Sequence, residues 1–202
     1  MTDIQNQLDA LYAQALDHFR AERFGEAEAL GREILALQPK LAQTLHLMSA
    51  VALRGGRVQE AAVLVERAIA LDGRVATFHN TLGEIYRQQG QVESALACYE
   101  RALALQPDFA HARGNIEQIL AGCDDKVAIA YYRRQVEAQP GHAPALANLA
   151  SAFARAGEAE TAVTFYRQGL ALNAAMPNVL CNLGLVLSDL GRLDEAIDCY
   201  LT

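Results

Sequence analysis

Apolar residues recur along the chain at spacings of three and four, in short segments that are separated by glycine. Leu82, Ile85 and Tyr86 form one such stripe, and Ala95 and Tyr99 belong to the next. These spacings place the side chains of each stripe on one face of a helix. We find no alternation of apolar and polar residues long enough for a strand. The pattern therefore predicts an all-α chain of short amphipathic helices.

Glycine marks the breaks between these helices. The breakers stand at corresponding positions, Gly55-Gly56, Gly90, Gly157 and Gly191. Because glycine adopts positive φ without strain, it can end one helix and turn the chain back into the next. Proline then closes several of the helix pairs, at Pro39, Pro107 and Pro140. The breaks predict a series of antiparallel helical hairpins.

The hairpins follow a repeat of about 34 residues. Alanine marks it at Ala27, Ala61, Ala95, Ala128, Ala162 and Ala196, with one interval of 33 and four of 34. Tyrosine follows four residues after the last four of these, at Tyr99, Tyr132, Tyr166 and Tyr200. A repeat of this length is typical of helical solenoids, in which each repeat buries its apolar faces against its neighbours.

The motif residues resemble those of the tetratricopeptide repeat. They are Leu82-Gly83-x-x-Tyr86, Ala95-x-x-x-Tyr99 and Pro107, and Leu183-Gly184 with Ala196 and Tyr200 repeats the frame. The resemblance implies a right-handed α-solenoid of antiparallel helix hairpins, forming one body over residues 1–202. We expect about six repeats, the last incomplete, over residues 8–41, 42–75, 76–109, 110–142, 143–176 and 177–202.

Small residues are expected where the two helices of a hairpin approach most closely. In the first helix these are Ala15, Ser49, Gly83, Ala150 and Gly184. The repeated alanines are expected to occupy the facing position in the second helix. A larger residue there would overpack the contact.

The first and last repeats depart from the pattern. Gln14, His18 and Gly31 stand where larger apolar residues are expected, which favours a solvated end cap for the first repeat. The sequence stops at Thr202, within the second helix of the sixth repeat. Two interpretations of this end stay open. The chain is a piece of a longer protein, or its exposed apolar end pairs with another copy.

The fourth repeat is irregular internally. It is one residue short, and Glu117 and Gln135 are polar where small residues recur. One interpretation is a functional kink or ligand contact; the other is local repacking, with the polar groups reaching solvent or each other. Asp124 and Asp125 are predicted to cap and begin its second helix.

Composition excludes several classes of protein. The net charge of −7 argues against nucleic-acid binding, and no apolar stretch is long enough for membrane insertion. The sequence begins with neither a basic leader nor an apolar segment, so we expect a cytoplasmic protein. The alanine-rich, lysine-poor composition favours a bacterial source.

Catalytic and metal-binding motifs are also missing. Cys98, Cys123, Cys181 and Cys199 have no metal-ligand spacing, which predicts free thiols. No nucleophile, phosphate-loop or dinucleotide motif is present. We predict that the chain is not an enzyme and needs no metal or cofactor.

Asparagine recurs at one position of the repeat. The residue just before the Leu/Ile of the motif is Leu47, Thr81, Asn115, Asn148 or Asn182. In the resembling family this position of the first helix faces the concave surface. Three successive asparagines there are similar to the asparagine ladder of O-linked N-acetylglucosamine transferases. Leu47, preceded by His46, interrupts that similarity, and the alternative is that the asparagines are simply solvated.

An asparagine ladder predicts peptide binding. The amide both donates and accepts, so it can pair with a peptide bond whatever the side chains of the peptide. Neighbouring inward residues are candidates for selectivity: Asn80, Glu84, Arg87, Gln118, Ser151 and Arg155. The lysine, arginine and asparagine set that clamps chaperone tails in this family is not evident.

Three hypotheses for function follow. The first is a protein-interaction scaffold that binds an extended peptide or a flexible protein segment in its concave groove. The second is an N-terminal, substrate-selecting arm of a larger enzyme, such as a glycosyltransferase or sulfotransferase. The third is a scaffold that self-assembles through its uncapped C-terminal end.

Overall fold

The fold consists of short α-helices and tight connections, with no strand between residues 2 and 201. The computed structural model describes residues 2–201, and their side chains from residue 4. Its helices are α1 Thr2–Arg20, α2 Phe24–Leu37, α3 Ala42–Arg54, α4 Val58–Leu71, α5 Ala76–Gln88, α6 Val92–Leu105, α7 Ala110–Gly122, α8 Asp125–Ala138, α9 Ala143–Arg155, α10 Ala159–Leu172, α11 Pro177–Asp189 and α12 Leu193–Leu201. This confirms the predicted all-α fold of repeated hairpins. A single right-handed body over the whole chain stays a prediction.

The chain forms two compact units that divide after Ile119, within α7. In the N-terminal unit the hairpins α1–α2, α3–α4 and α5–α6 stack in order, with α2 packed on α3 and α4 on α5. In the C-terminal unit α8 packs on α9, and the hairpins α9–α10 and α11–α12 stack through α10 and α11. Direct contacts also join α1 to α3, α3 to α5 and α9 to α11. Within each unit the first helices therefore lie side by side and form one face.

The turns of five hairpins share one hydrogen-bond pattern. In the second hairpin the amide of Arg57 donates to the Ala52 carbonyl at 2.9 Å, and the amide of Gly56 donates to the Leu53 carbonyl at 3.1 Å. This is a Schellman motif, which needs a residue of positive φ after the helix. Gly56, Gly90, Gly157 and Gly191 supply it with φ between 73° and 80°, as predicted, whereas Gly55 has a φ of −81°. In the first hairpin Glu22 fills this place with φ 58°.

The small residues leave room for aromatic rings. A Cβ on Gly83 would lie 2.6 Å from the Tyr99 ring, and one on Gly184 would lie 2.6 Å from the Tyr200 ring. The nearest atoms are thus those of tyrosine rather than those of the facing alanine, which refines the sequence expectation. Ser49 does contact its alanine, because its hydroxyl donates to the Ala61 carbonyl at 2.8 Å.

Gly31 has a packing role that the end-cap interpretation missed. A Cβ at this position would lie 2.3 Å from the Met48 sulfur, so the glycine admits a side chain of the next hairpin. Gln14 is exposed and His18 is half-buried, in agreement with a solvated first repeat. Asp124 caps α8 as predicted, since its carboxylate accepts from the Lys126 amide at 2.8 Å.

Each unit has its own apolar core. Leu45, Val65 and Ile85 are fully buried in the N-terminal unit. In the C-terminal unit Phe153 stacks on Phe165, with ring centroids 5.5 Å apart. Each buried aliphatic or aromatic side chain contributes about 1.5–3 kcal/mol, which holds the first-helix faces in place.

Candidate functional site

Two of the predicted asparagines are exposed on neighbouring first helices of the C-terminal unit. Asn148 lies on α9 and Asn182 on α11, and each precedes a buried leucine, Leu149 or Leu183. The leucine anchors the helix in the core, which turns the preceding side chain outward. Among the described residues, neither amide pairs with another group of the chain.

A shallow depression lies beside Asn182. Its volume is about 250 Å³, and it is lined by Ser151, Ala154, Arg155, Tyr166, Asn182, Leu185 and Val186. The side chain of Leu185 is 59% exposed. Sequence reasoning did not single out Leu185. The sequence did contain a signal for it, because Leu185 stands at the repeat position where the preceding hairpin has the polar residue Ser151.

Two other predicted residues line this depression with polar groups that are already paired. The Ser151 hydroxyl donates to the Ala147 carbonyl at 3.0 Å and shares a hydrogen bond of 2.9 Å with the Tyr166 hydroxyl. The Arg155 guanidinium donates to Asp125 at 2.9 Å and to the Leu120 carbonyl at 3.3 Å. Asn182 is therefore the lining residue whose polar side chain makes no hydrogen bond to a described residue, whereas the guanidinium of Arg155 is held by Asp125 but stays 46% exposed.

Asn115, in the N-terminal unit, belongs to an internal chain of hydrogen bonds. Its amide donates to the Asn80 oxygen at 3.1 Å, and the Asn80 amide donates to Glu84 at 2.9 Å. Asn80 is 7% exposed. The structure thus brings together the predicted site residues Asn80, Glu84 and Asn115. Their side chains already form hydrogen bonds with one another.

Thr81 forms a similar pair with the preceding hairpin. Its hydroxyl is 2.8 Å from Nε2 of His46, whose ring also lies 4.8 Å from that of Phe78. Burial lowers the pKa of His46 to about 4, so the imidazole is neutral near pH 7. Thr81 and Asn80, which were expected on the open groove, are buried by these partners, and their role in peptide binding stays a prediction.

These pairs share a separation of 35 residues, which explains why Asn182 is free. His46 pairs with Thr81 and Asn80 with Asn115. The residue 35 before Asn182 is Ala147, which has no polar side chain. Thr81 and Asn115 are therefore each paired at this repeat position in the N-terminal unit, whereas Asn182 has no such partner.

The buried hydroxyl of Tyr99 makes no hydrogen bond of good geometry among the described residues, although the Arg87 guanidinium lies close enough to act on it. Burial, followed by the nearby Glu84 carboxylate, raises the pKa of Tyr99 to about 12, and Arg87 opposes the shift. Tyr166, at the same repeat position, has Ser151 as its partner. In the hairpin of Tyr99 that place is held by Glu84, which accepts from Asn80 instead.

The remaining predicted positions are solvent-exposed. Arg87 and Gln118 are exposed on α5 and α7, where nothing further defines a site. Glu117 is exposed as well, so a polar residue is accommodated there without a buried partner. A functional role of the irregular fourth repeat stays a prediction.

The four cysteines are free thiols in the structure. Burial raises the pKa of Cys98 to about 11, and it also raises the pKa of Cys123 and Cys199, so these three resist ionisation near pH 7. Cys181 is exposed.

The described side chains contain no group of three or more His, Cys, Asp or Glu that could hold a metal ion. None of the described helices is both long and apolar enough to cross a bilayer.

Three stretches of the chain match family models of the tetratricopeptide repeat. They cover residues 76–109, 145–178 and 177–202. No protein among those with curated functions matches the sequence significantly. The matched stretches coincide with the third, fifth and sixth hairpins.

Solved structures share the fold. A chain in the structure of Naa15/Naa10 bound to HypK-THB is 18% identical over 96% of this chain, with a TM-score of 0.62. A mutant of the Thermobaculum terrenum O-GlcNAc transferase is 28% identical over 64% of this chain, with a TM-score of 0.58. The present chain spans 30% and 26% of the length of these two. YrrB, described as a TPR protein with an unusual peptide-binding site, is 20% identical over 87% of this chain and 92% of its own, with a TM-score of 0.56.

Proposed function

Because the chain belongs to the tetratricopeptide-repeat family, we propose that it is a protein-interaction module that holds an extended peptide segment. The segment lies against the face formed by α9 and α11 in the C-terminal unit. The observation that carries this proposal is the unpaired amide of Asn182, exposed at the edge of a depression. The peptide-binding site described for YrrB supports the same use of a related fold.

The chemistry of the amide suits a peptide backbone. One asparagine donates to a peptide carbonyl and accepts from a peptide N–H at the same time. Each such hydrogen bond contributes about 0.5–1.5 kcal/mol, so Asn148 and Asn182 together provide a weak grip that tolerates different sequences. Asn115 contributes less to binding, because its amide is held by Asn80.

A displayed library of random peptides tests the proposal. Peptides selected on the wild-type protein are labelled with fluorescein, and their affinity is measured by anisotropy. We expect the double variant Asn148→Ala/Asn182→Ala to bind about tenfold more weakly, which corresponds to about 1.4 kcal/mol. Asn178→Ala is the matched control, because Asn178 is an exposed asparagine of α11 as well. Equal affinity in the double variant and the control would contradict the proposal.

A second candidate is a substrate-selecting arm of a larger glycosyltransferase. The observation that favours it is the 28% identity to the O-GlcNAc transferase, of which the chain spans 26%. In that case the peptide held by the C-terminal unit is the acceptor protein, and the chemistry takes place in another domain. The mass of the gene product in its own cells decides this point. A product much heavier than 21.9 kDa supports the arm, and one of this mass opposes it.

A further inference from the structure

The depression beside Asn182 has an apolar wall that the repeat does not require. The repeat position of Leu185 is apolar in some hairpins and polar in others, so the repeat fixes no apolar side chain there. The equivalent residues are Leu16, Ala50, Glu84, Gln118 and Ser151. Leu185 is 59% exposed, so most of its surface is not packed in the core. Ala154 and Val186 extend the apolar lining next to it.

The size of the depression limits what it can hold. Sites for whole small molecules commonly have volumes of about 300–1,000 Å³. At about 250 Å³, and open to solvent, this depression is suited to a single side chain of a longer ligand. The peptide bond next to that side chain would then lie within reach of the Asn182 amide.

The charges around the depression favour an uncharged ligand. Arg155 is the single charged residue of α9 and Asp189 that of α11. The guanidinium of Arg155 is neutralised by Asp125. A carboxylate would have to compete with Asp125 for Arg155, and an ammonium group would meet the positive charge of Arg155, so both are less favourable here than an uncharged side chain. An aliphatic side chain loses no hydrogen bond and covers Leu185.

From these observations we propose that the depression is a specificity subsite for one uncharged aliphatic side chain, such as leucine, isoleucine or methionine, of the bound peptide. The subsite rests on the proposed function, because Asn182 pairs with the peptide bond that flanks this side chain. The occupant is thus an extended peptide segment with an aliphatic residue at the position next to Asn182 and no charge on that residue.

The test uses three small amides as probes, each with one side chain between two peptide bonds. They are the N-acetyl, N′-methylamide derivatives of leucine, alanine and aspartate, titrated into the isotopically labelled full chain. The side-chain amide of Asn182 and the methyl groups of Leu185 are followed by NMR. We expect the leucine derivative to bind about tenfold more tightly than the alanine derivative. The aspartate derivative should leave the Leu185 methyl signals unchanged.

A protein variant checks that the preference arises at Leu185. Leu185→Ser introduces the residue type of the preceding hairpin. In this variant the leucine and alanine derivatives should bind with about equal affinity. Leu172→Ser is the control, because Leu172 is 53% exposed on α10, outside the depression.

The outcomes separate the subsite from the function. If the leucine and alanine derivatives change the NMR signal of the Asn182 side-chain amide with equal affinity, the subsite is refuted while the pairing of Asn182 with the peptide backbone stands. If no derivative shifts Asn182, the subsite and the pairing are both refuted. If the aspartate derivative binds as well as the leucine derivative, the charge argument is wrong and the subsite as stated is overturned.

Discussion

The ring of Tyr99 lies in the space that the missing side chain of Gly83 leaves, since a Cβ on Gly83 would come within 2.6 Å of the ring atom Cε1. Tyr99 is fully buried there, between the two helices of the third hairpin. Tyr200 lies against Gly184 in the same way. The glycine of the motif thus sets the depth at which the tyrosine enters the hairpin.

Gly83→Ala should therefore destabilise the N-terminal unit. The added methyl overpacks a rigid contact, which costs about 1–3 kcal/mol. Gly114→Ala is the control, because a Cβ at this helical position meets nothing within 4 Å. That control should gain about 0.5–1 kcal/mol from the better helix propensity of alanine. Urea unfolding followed by circular dichroism measures both, and a loss of stability in Gly114→Ala equal to that in Gly83→Ala would refute the packing argument.

Replacing tyrosine by phenylalanine should have opposite consequences at two equivalent positions. Tyr166→Phe breaks the hydrogen bond to Ser151 and should cost about 0.5–1.5 kcal/mol. Tyr99→Phe removes a buried hydroxyl that has no partner in the described structure, so it should be neutral or stabilising. Thermal unfolding of the two variants against the wild type checks the difference. A cost at Tyr99 as large as that at Tyr166 would mean that Arg87 satisfies the hydroxyl.

Local features of the fold could be predicted from the sequence, and pairings between hairpins could not. Gly90 and Ala95 act within one hairpin, so periodicity locates them. The pairing of Asn80 with Asn115 joins two helices through residues that are 35 positions apart, and it requires a polar side chain at both positions. Asn115 and Asn182 have the same residue type at the same repeat position, and the sequence analysis treated them alike. Their difference comes from Asn80 and Ala147 in the preceding hairpins.

The depression at Leu185 was missed for a related reason. An isolated leucine in a helix normally belongs to the core, and periodicity gives no measure of its exposure. Comparison with Ser151 at the equivalent position would have indicated that the hairpin does not need an apolar group there. The exposed fraction of Leu185 shows this directly.

His46 predicts a dependence of stability on pH. Its pKa is lowered to about 4 in the folded chain, against about 6.5 in the unfolded chain. Between these values the unfolded chain binds the proton and the folded chain does not, so stability falls as the pH decreases from about 6.5 towards 4. The slope is about 1.4 kcal/mol per pH unit for one group.

Melting temperatures between pH 7 and pH 5 measure this effect before most carboxylates titrate. His46→Gln removes the titrating group while leaving an amide near Thr81, so its melting temperature should decrease less over this range than that of the wild type. His142→Gln, at an exposed histidine, should behave as the wild type does. Parallel curves for all three proteins would show that His46 is not the group responsible.

We expect the chain of 202 residues to self-associate through the outer face of α12. Ile197 and Tyr200 are 53% and 49% exposed, whereas Val163 and Tyr166 at the same repeat positions are 3% and 2% exposed. In the preceding hairpin, α10 packs on α11, the first helix of the next hairpin. A second copy that covers this face buries apolar side chains worth about 1.5–3 kcal/mol each.

Light scattering after size exclusion, at several protein concentrations, measures the association. The mass should rise with concentration, because association covers the apolar side chains of α12. Ile197→Ser should lower the association, whereas Leu172→Ser, at an exposed leucine of α10, should not. A constant mass of about one chain at every concentration would refute self-association through α12.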